Sequence, residues 1–152
     1  MKSKGLLMKS RLSKMSLLSE IYKYKNQGNL RDNPEQRLQE WFSLYLMSLG
    51  VLFCASAGGM RTNMRTAIKM KRAGYRKGFP DMEILEPRGD YHGLFVELKC
   101  GSRPTPEQLE WQKDLIARGY LSLITPSAYS FQQAQNWLEE ETKKYLSLRK
   151  RI

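Results

Sequence analysis

The sequence predicts an α/β fold in which a central mixed β-sheet is flanked by helices. Three observations predict it. Helical and strand-like segments alternate in the order α-β-basic helix-β-β-α-β-α. Two helices open on a capping residue followed by proline, Asn33-Pro34 and Thr105-Pro106, where the missing proline N–H would have had no partner anyway. Between the two central strands stands Pro87-Arg88-Gly89-Asp90, a turn composition that folds them back on each other.

The elements follow in order. Residues 1–32 form a basic arm, in which Leu12, Met15, Leu18 and Tyr22 keep helical spacing until Asn26-Gln27-Gly28-Asn29 breaks it. A helix then starts at Asn33-Pro34-Glu35-Gln36, with Gln36 three residues after the cap. Leu38, Trp41, Phe42, Tyr45, Leu46 and Leu49 recur along it, and Gly50 ends it. Residues 51–56 read as a strand closed by Gly58-Gly59, and residues 63–73 as a short basic helix ending at Gly74. Strands are expected at 82–86 and 93–99. Thr105-Pro106-Glu107-Gln108 opens the next helix, with a Thr cap and a Gln three later, and Gly119 stops it. Residues 120–125 read as a strand, 126–130 as a turn, and a last helix runs to about Leu148. The domain plan is an arm at 1–32, a core at 33–126 with a basic insert at 60–78, and a C-terminal helix within 127–152 that packs on the core. Trp41, Trp111 and Trp137 fall at helical spacing with other apolar residues and are expected in the core.

The chain has 152 residues, 41% of them hydrophobic, and a net charge of +11. That suits one domain with a real core. No apolar run approaches the roughly 18 residues of a membrane span, and residues 1–14 lack the apolar stretch of a secretory signal. Cys54 and Cys100 have no metal-ligand spacing and read as free, buried thiols in a reducing cytoplasm. The single histidine, His92, falls in the hairpin turn and cannot make a zinc site by itself. No glycine-rich phosphate loop is present, so no nucleotide cofactor is expected.

The chemistry concentrates around the hairpin. Asp81 opens one strand, and Glu97 and Lys99 stand near the end of the next, two residues apart and so on one face. Residue 89, in the turn, is the midpoint of 81 and 97, so the hairpin brings Asp81 and Glu97 close to opposite each other, with Cα atoms about 5 Å apart. Two carboxylates beside a lysine suit a hard divalent cation such as Mg²⁺. Glu97 sits among Leu94, Phe95, Val96 and Leu98, where a buried carboxylate needs a charge partner or a metal. Lys99 offers an ion pair; with Asp81 opposite, we favour the metal. Lys99 then either handles the attacking water or stabilises charge on a phosphate. Glu35 lies at the edge of the apolar stripe of its helix, whereas Glu40 falls on the opposite side, so Glu35 is the candidate helix carboxylate. Gln108 faces inward with Trp111 and Leu115 and is both a cap and a site candidate. Arg61, Arg65, Lys69, Lys71, Arg72, Arg76 and Lys77 lie in 60–78 with no acid among them. A basic stretch beside a carboxylate cluster favours a phosphate backbone.

Gly78-Phe79-Pro80-Asp81, then Glu97-Leu98-Lys99, then Gln108 and the Gly119 stop resemble the PD-(D/E)xK nucleases, and among them the VRR-NUC (virus-type replication-repair nuclease) branch. The Glu35-x-x-Leu38-Gln39 opening and Gly58-Gly59 also fit it. The resemblance covers roughly Pro34 to Thr125. It implies a restriction-endonuclease-like α-β-β-β-α-β core, which agrees with the order read from caps and periodicity. It also implies Mg²⁺- or Mn²⁺-dependent hydrolysis of DNA phosphodiesters. Asp81, Glu97, Glu35 and the Leu98 backbone carbonyl would then hold the metal, and Gln108 would belong to the active-site motif. Small stand-alone members resemble Holliday-junction resolvases, so branched DNA and a homodimer are expected, in a bacterial or phage-infected cytoplasm. A flap or end-processing nuclease, and an inactive nucleic-acid-binding module of the same fold, are the alternatives.

Overall fold

The structure, a computed structural model, describes residues 33–56 and 63–151 together with the helical residues Ser16 and Ser19. The rest of the basic arm, Gly58-Gly59 and Arg61 lie outside the described residues. Four helices and four strands follow from residue 33: α1 (Pro34–Leu49), β1 (Phe53–Ala55), α2 (Met64–Arg72), β2 (Met82–Ile84), β3 (Leu94–Glu97), α3 (Pro106–Ala117), β4 (Leu121–Ile124) and α4 (Phe131–Ser147).

The strands form one mixed sheet in the order β1-β2-β3-β4. β1–β2 and β2–β3 are antiparallel, whereas β3 and β4 are parallel and joined by α3. Parallel neighbours need such a crossover, because a tight turn cannot reverse the chain twice. The sheet packs on both faces, the second of them only away from the exposed edge strand β1. On one, Phe53, Met82, Ile84, Leu94, Val96, Leu121 and Leu123 pack against Leu38, Trp41 and Phe42 of α1 and Ala134, Leu138 and Tyr145 of α4. Full burial of side chains such as Leu38 and Phe42 stabilises the fold by about 1.5–3 kcal/mol each. On the other face Phe95 meets Phe79 and Tyr120 edge-on, and Phe79 meets Trp111 of α3 at 4.9 Å. The C-terminal helix thus forms part of the core it packs on.

The caps act as their sequences suggest at α3, where Thr105 and Gln108 form a reciprocal capping box. At α1 the Asn33 side chain accepts from the Glu35 N–H, but Gln36 reaches forward to Glu40 at 3.3 Å instead of back to the cap. α4 opens on a second capping box, Ser130 with Gln133, which the sequence reading passed over as turn.

The strands are shorter than expected, and β3 ends at Glu97 instead of residue 99. Beyond it the ladder is replaced by side-chain partners: the Leu98 N–H donates to Asp81 Oδ2 at 2.8 Å, and the Lys99 N–H to Thr125 Oγ1. The two cysteines are free but not buried, because Cys54 lies on the edge strand β1 and is exposed, and Cys100 is half-buried just past β3.

Candidate active site

The hairpin register builds the site. Met82 pairs with Val96, Glu83 with Phe95 and Ile84 with Leu94, so the next step places Asp81 opposite Glu97. The two-residue turn closes between Arg88 and Tyr91. Residues 85–87 therefore face only residues 92 and 93, and the extra residue, taken up as a bulge, shifts the register by one so that Asp81 meets Glu97 and not Leu98. On the other side of Asp81, the Ser56 N–H donates to the Asp81 carbonyl at 2.8 Å, one step beyond the Ala55–Met82 pair. Ser56, Asp81 and Glu97 thus form a row across three strands. Alternation puts them on the face of Phe95, away from the α1–α4 core.

Glu97 is buried to 4% exposure. Its Oε1 accepts from Lys99 Nζ at 3.0 Å and from Gln108 Nε2. Its Oε2 is buried and has no hydrogen-bond partner, and the Ser56 hydroxyl is orphaned in the same way. Burial, then the Asp81 charge, push the Glu97 carboxyl up to about 7 against the pull of Lys99. Asp81 is raised as well, first by burial, although the Leu98 N–H and Lys99 oppose the shift. A carboxylate oxygen that is desolvated, unpartnered and beside a second carboxylate is what a cation would relieve.

Gln108 reaches this point through α3. The Thr105 N–H donates to Gln108 Oε1 at 2.8 Å, which leaves the amide nitrogen to face Glu97. The helix start can come this close because residue 78 is glycine. A Cβ there would lie 2.8 Å from the Glu107 carbonyl carbon, and its φ of +83° is strained for any other residue.

Glu35 arrives from the first turn of α1 and accepts from the Ser102 hydroxyl and, at 3.4 Å, from the Cys100 N–H. It is near enough for its charge to raise both Asp81 and Glu97. Among the described residues no three His, Cys, Asp or Glu side chains converge into a ready-made metal cage. The donor set instead fits Mg²⁺-type binding, in which one or two carboxylates hold the ion and water and substrate phosphates complete its shell. The Leu98 side chain is buried in the α1–α4 core, so its main chain alone faces the site.

Of the basic residues, Arg65, Lys69, Lys71 and Arg72 lie on α2, which buries nothing, and Arg76 and Lys77 lead from it to Asp81. Trp111, expected in the core, is half-buried: its other side carries the Arg76 guanidinium, 4.4 Å from the ring centroid. Sequence reasoning missed two residues. Thr125 grips Lys99 from both sides of its peptide unit, accepting from its N–H and donating to its C=O at 2.8 Å. Ser56 sits beside Asp81, and only the strand register could have singled it out.

An α/β domain with a hairpin-borne acidic pair, a neighbouring lysine and a helix-borne glutamine is therefore the class that fold and site define. Among solved structures, the chain is similar to one described as a VRR_NUC domain protein, at 22% identity over 91% of this chain and 92% of that chain, with a TM-score of 0.52. The chain has the fold of that VRR_NUC domain protein. No family model matches the sequence, and no curated protein matches it. Among the described residues no helix is long and apolar enough to cross a membrane.

Proposed function

We propose that this protein is a metal-dependent DNA endonuclease that hydrolyses phosphodiester bonds in branched DNA and acts as a homodimer. The observation that carries the reading is Glu97: a buried carboxylate with one orphaned oxygen, set opposite Asp81 and 3.0 Å from Lys99. Asp81 and Glu97 would hold Mg²⁺ or Mn²⁺, with Glu35 and the Leu98 carbonyl beside them. When bound, the ion polarises the phosphate and lowers the pKa of a water nucleophile. The chain does the positioning. The Leu98 N–H orients Asp81, and Gln108 and Lys99 hold Glu97. Thr125 fixes the main chain that carries Lys99, whose ammonium stands where it can orient a water or meet charge on a phosphate. The cations of α2 and of residues 76–77 supply backbone affinity without base readout, which favours recognition by shape. Exposed Leu49, Leu52 and Leu85 near the β1 edge offer apolar surface for a second copy.

The test is cleavage of a labelled four-way junction, flap, duplex and single strand in Mg²⁺, Mn²⁺ or EDTA, beside Asp81→Ala. Metal-dependent, paired nicking of the junction that vanishes in the variant is expected. Cutting confined to flaps or ends would retain a nuclease but discard junction resolution. Tight binding with no cutting under any condition would leave only a nucleic-acid-binding module.

A further inference from the structure

We propose that the cleft between α2 and α3 binds one unstacked nucleobase next to the scissile phosphate, so that the preferred substrate carries an unpaired nucleotide at the cut. The inference rests on the nuclease reading above and narrows its substrate. The cleft has a volume of about 570 Å³ and is lined by Ala67 and Lys71 of α2, by Tyr75 and Arg76, and by Glu107 and Trp111 of α3. That size is ordinary for a small-ligand site. Its walls combine aromatic rings with cations, the pairing that grips single-stranded nucleic acid through stacking and backbone charge.

The stacking surface is held in place. Trp111 donates its indole N–H to the Lys77 carbonyl at 3.1 Å and takes the Phe79 ring edge-on at 4.9 Å. The Arg76 guanidinium lies over the same indole, and a base can stack on a guanidinium plane as on a ring. Tyr75, 37% exposed, brings a second ring. Two carboxylates, Glu107 and Glu110, also line the cleft against the three cations Lys71, Arg76 and Lys77, and Lys77 engages Glu107 at 3.0 Å, which offsets its repulsion of a phosphate.

Position ties the cleft to the carboxylates. Trp111 follows Gln108 by three residues, about 4.5 Å of helical rise, and Gln108 donates to Glu97. The segment from Arg76 to Asp81 runs from the cleft to the acidic pair, with Gly78 pressed against the start of α3. A nucleotide whose phosphate met Asp81 and Glu97 would have its neighbouring base beside Arg76. A fully stacked duplex cannot offer that base without unpairing it.

The experiment measures binding in EDTA, so that no strand is cut, with 2-aminopurine as the probe. The wild type is compared on a blunt duplex and on the same duplex with a single unpaired 2-aminopurine, beside Ala67→Leu, which fills the cleft from an exposed position, and Tyr75→Ala. We expect tighter binding and fluorescence quenching with the unpaired base. Each variant should lose roughly tenfold on that DNA while its duplex affinity and far-UV circular dichroism stay at the wild-type level. Equal affinity for both DNAs, or variants that weaken both alike, would overturn the base site and leave the nuclease reading standing. Failure of the wild type to bind either DNA would overturn the base site, and the cleavage panel with Mg²⁺ or Mn²⁺ then decides the nuclease reading by itself. Arg65→Ala, outside the cleft, separates general charge from stacking: it should weaken both DNAs equally.

Discussion

Gln108 caps its own helix with one half of its amide and holds Glu97 with the other. The oxygen accepts from the Thr105 N–H, and the nitrogen donates to Glu97 Oε1. One side chain thus sets both where α3 starts and how the buried carboxylate is presented.

The capping box of α4 provides an internal control for this double duty, because Ser130 and Gln133 cap without touching the site. Gln133→Ala should cost about 1 kcal/mol, the usual worth of a lost cap contact. Gln108→Ala should cost about 1–2 kcal/mol more, since it also strips a donor from a buried carboxylate. Urea denaturation of the two variants reads the difference. Equal losses would mean that the Glu97 contact contributes nothing to stability.

Thr125→Val keeps the shape of the side chain but removes the hydroxyl that satisfies both the N–H and the C=O of Lys99. Two buried main-chain groups would lose their partner, a cost of about 1–3 kcal/mol. Lys99 would also lose its fixed placement, so the proposed cleavage rate should fall well below the wild type's, while Thr125→Ser, which keeps the hydroxyl, should restore most of both. A valine variant with unchanged midpoint and rate would contradict the role assigned to this clamp.

Ser56 should behave in the opposite sense. Its hydroxyl is buried without a partner beside Asp81, and an unsatisfied buried hydroxyl destabilises a fold. Ser56→Ala is therefore expected to raise stability by roughly 1 kcal/mol and, by removing an orphaned oxygen beside Asp81 that could serve the shell of the proposed ion, to weaken Mg²⁺ binding. Thermal melts with and without the ion test this: the alanine variant should melt higher in EDTA and gain less from Mg²⁺. A lower melting point in EDTA would show that the hydroxyl is satisfied after all.

The acidic pair makes stability depend on pH in a defined direction. Glu97 is raised from 4.5 to about 7, and Asp81 is raised with it. The folded protein therefore holds protons that the unfolded chain releases. This contribution is fully present below about pH 4.5 and is lost as the pH rises through about 7. Relative to Glu97→Gln, the wild type in EDTA should thus lose melting temperature across that window. On the proposed binding by the ionised pair, Mg²⁺ should recover the loss at pH 8 far more than at pH 5. A difference between wild type and Glu97→Gln that stays flat with pH would count against the buried, unpartnered state of this carboxylate.

The hairpin that joins Asp81 and Glu97 could be read in advance from the turn composition of Pro87-Arg88-Gly89-Asp90, but their pairing rests on the bulge before Arg88: counted from the Gly89-Asp90 turn alone, Asp81 would face Leu98. The helix starts were legible for a similar reason, since Asn33 and Thr105 act within their own first turn. What the sequence concealed depends on tertiary approach. The link from Gln108 to Glu97 needs α3 to close on Gly78, and the Thr125 clamp joins residues 26 positions apart. The length of β3 was overestimated because an apolar run does not reveal where main-chain donors leave the ladder for the side chains of Asp81 and Thr125. Trp111 was misplaced because its apolar spacing on the helix is real, while the cation over its ring comes from a different segment.

The separation of these residues along the chain has a kinetic consequence. Asp81 and Glu97 meet across one hairpin, and Gln108 and Thr125 join them through the next crossover. Each of these closures carries a smaller entropic cost than one across the whole core. Glu35 differs, because its bonds to Cys100 and Ser102 span 65 and 67 positions. That acid is delivered only when α1 docks and seals the opposite face of the sheet. The last carboxylate therefore reports completion of the whole core, and a half-folded chain would hold its central acids in register without it.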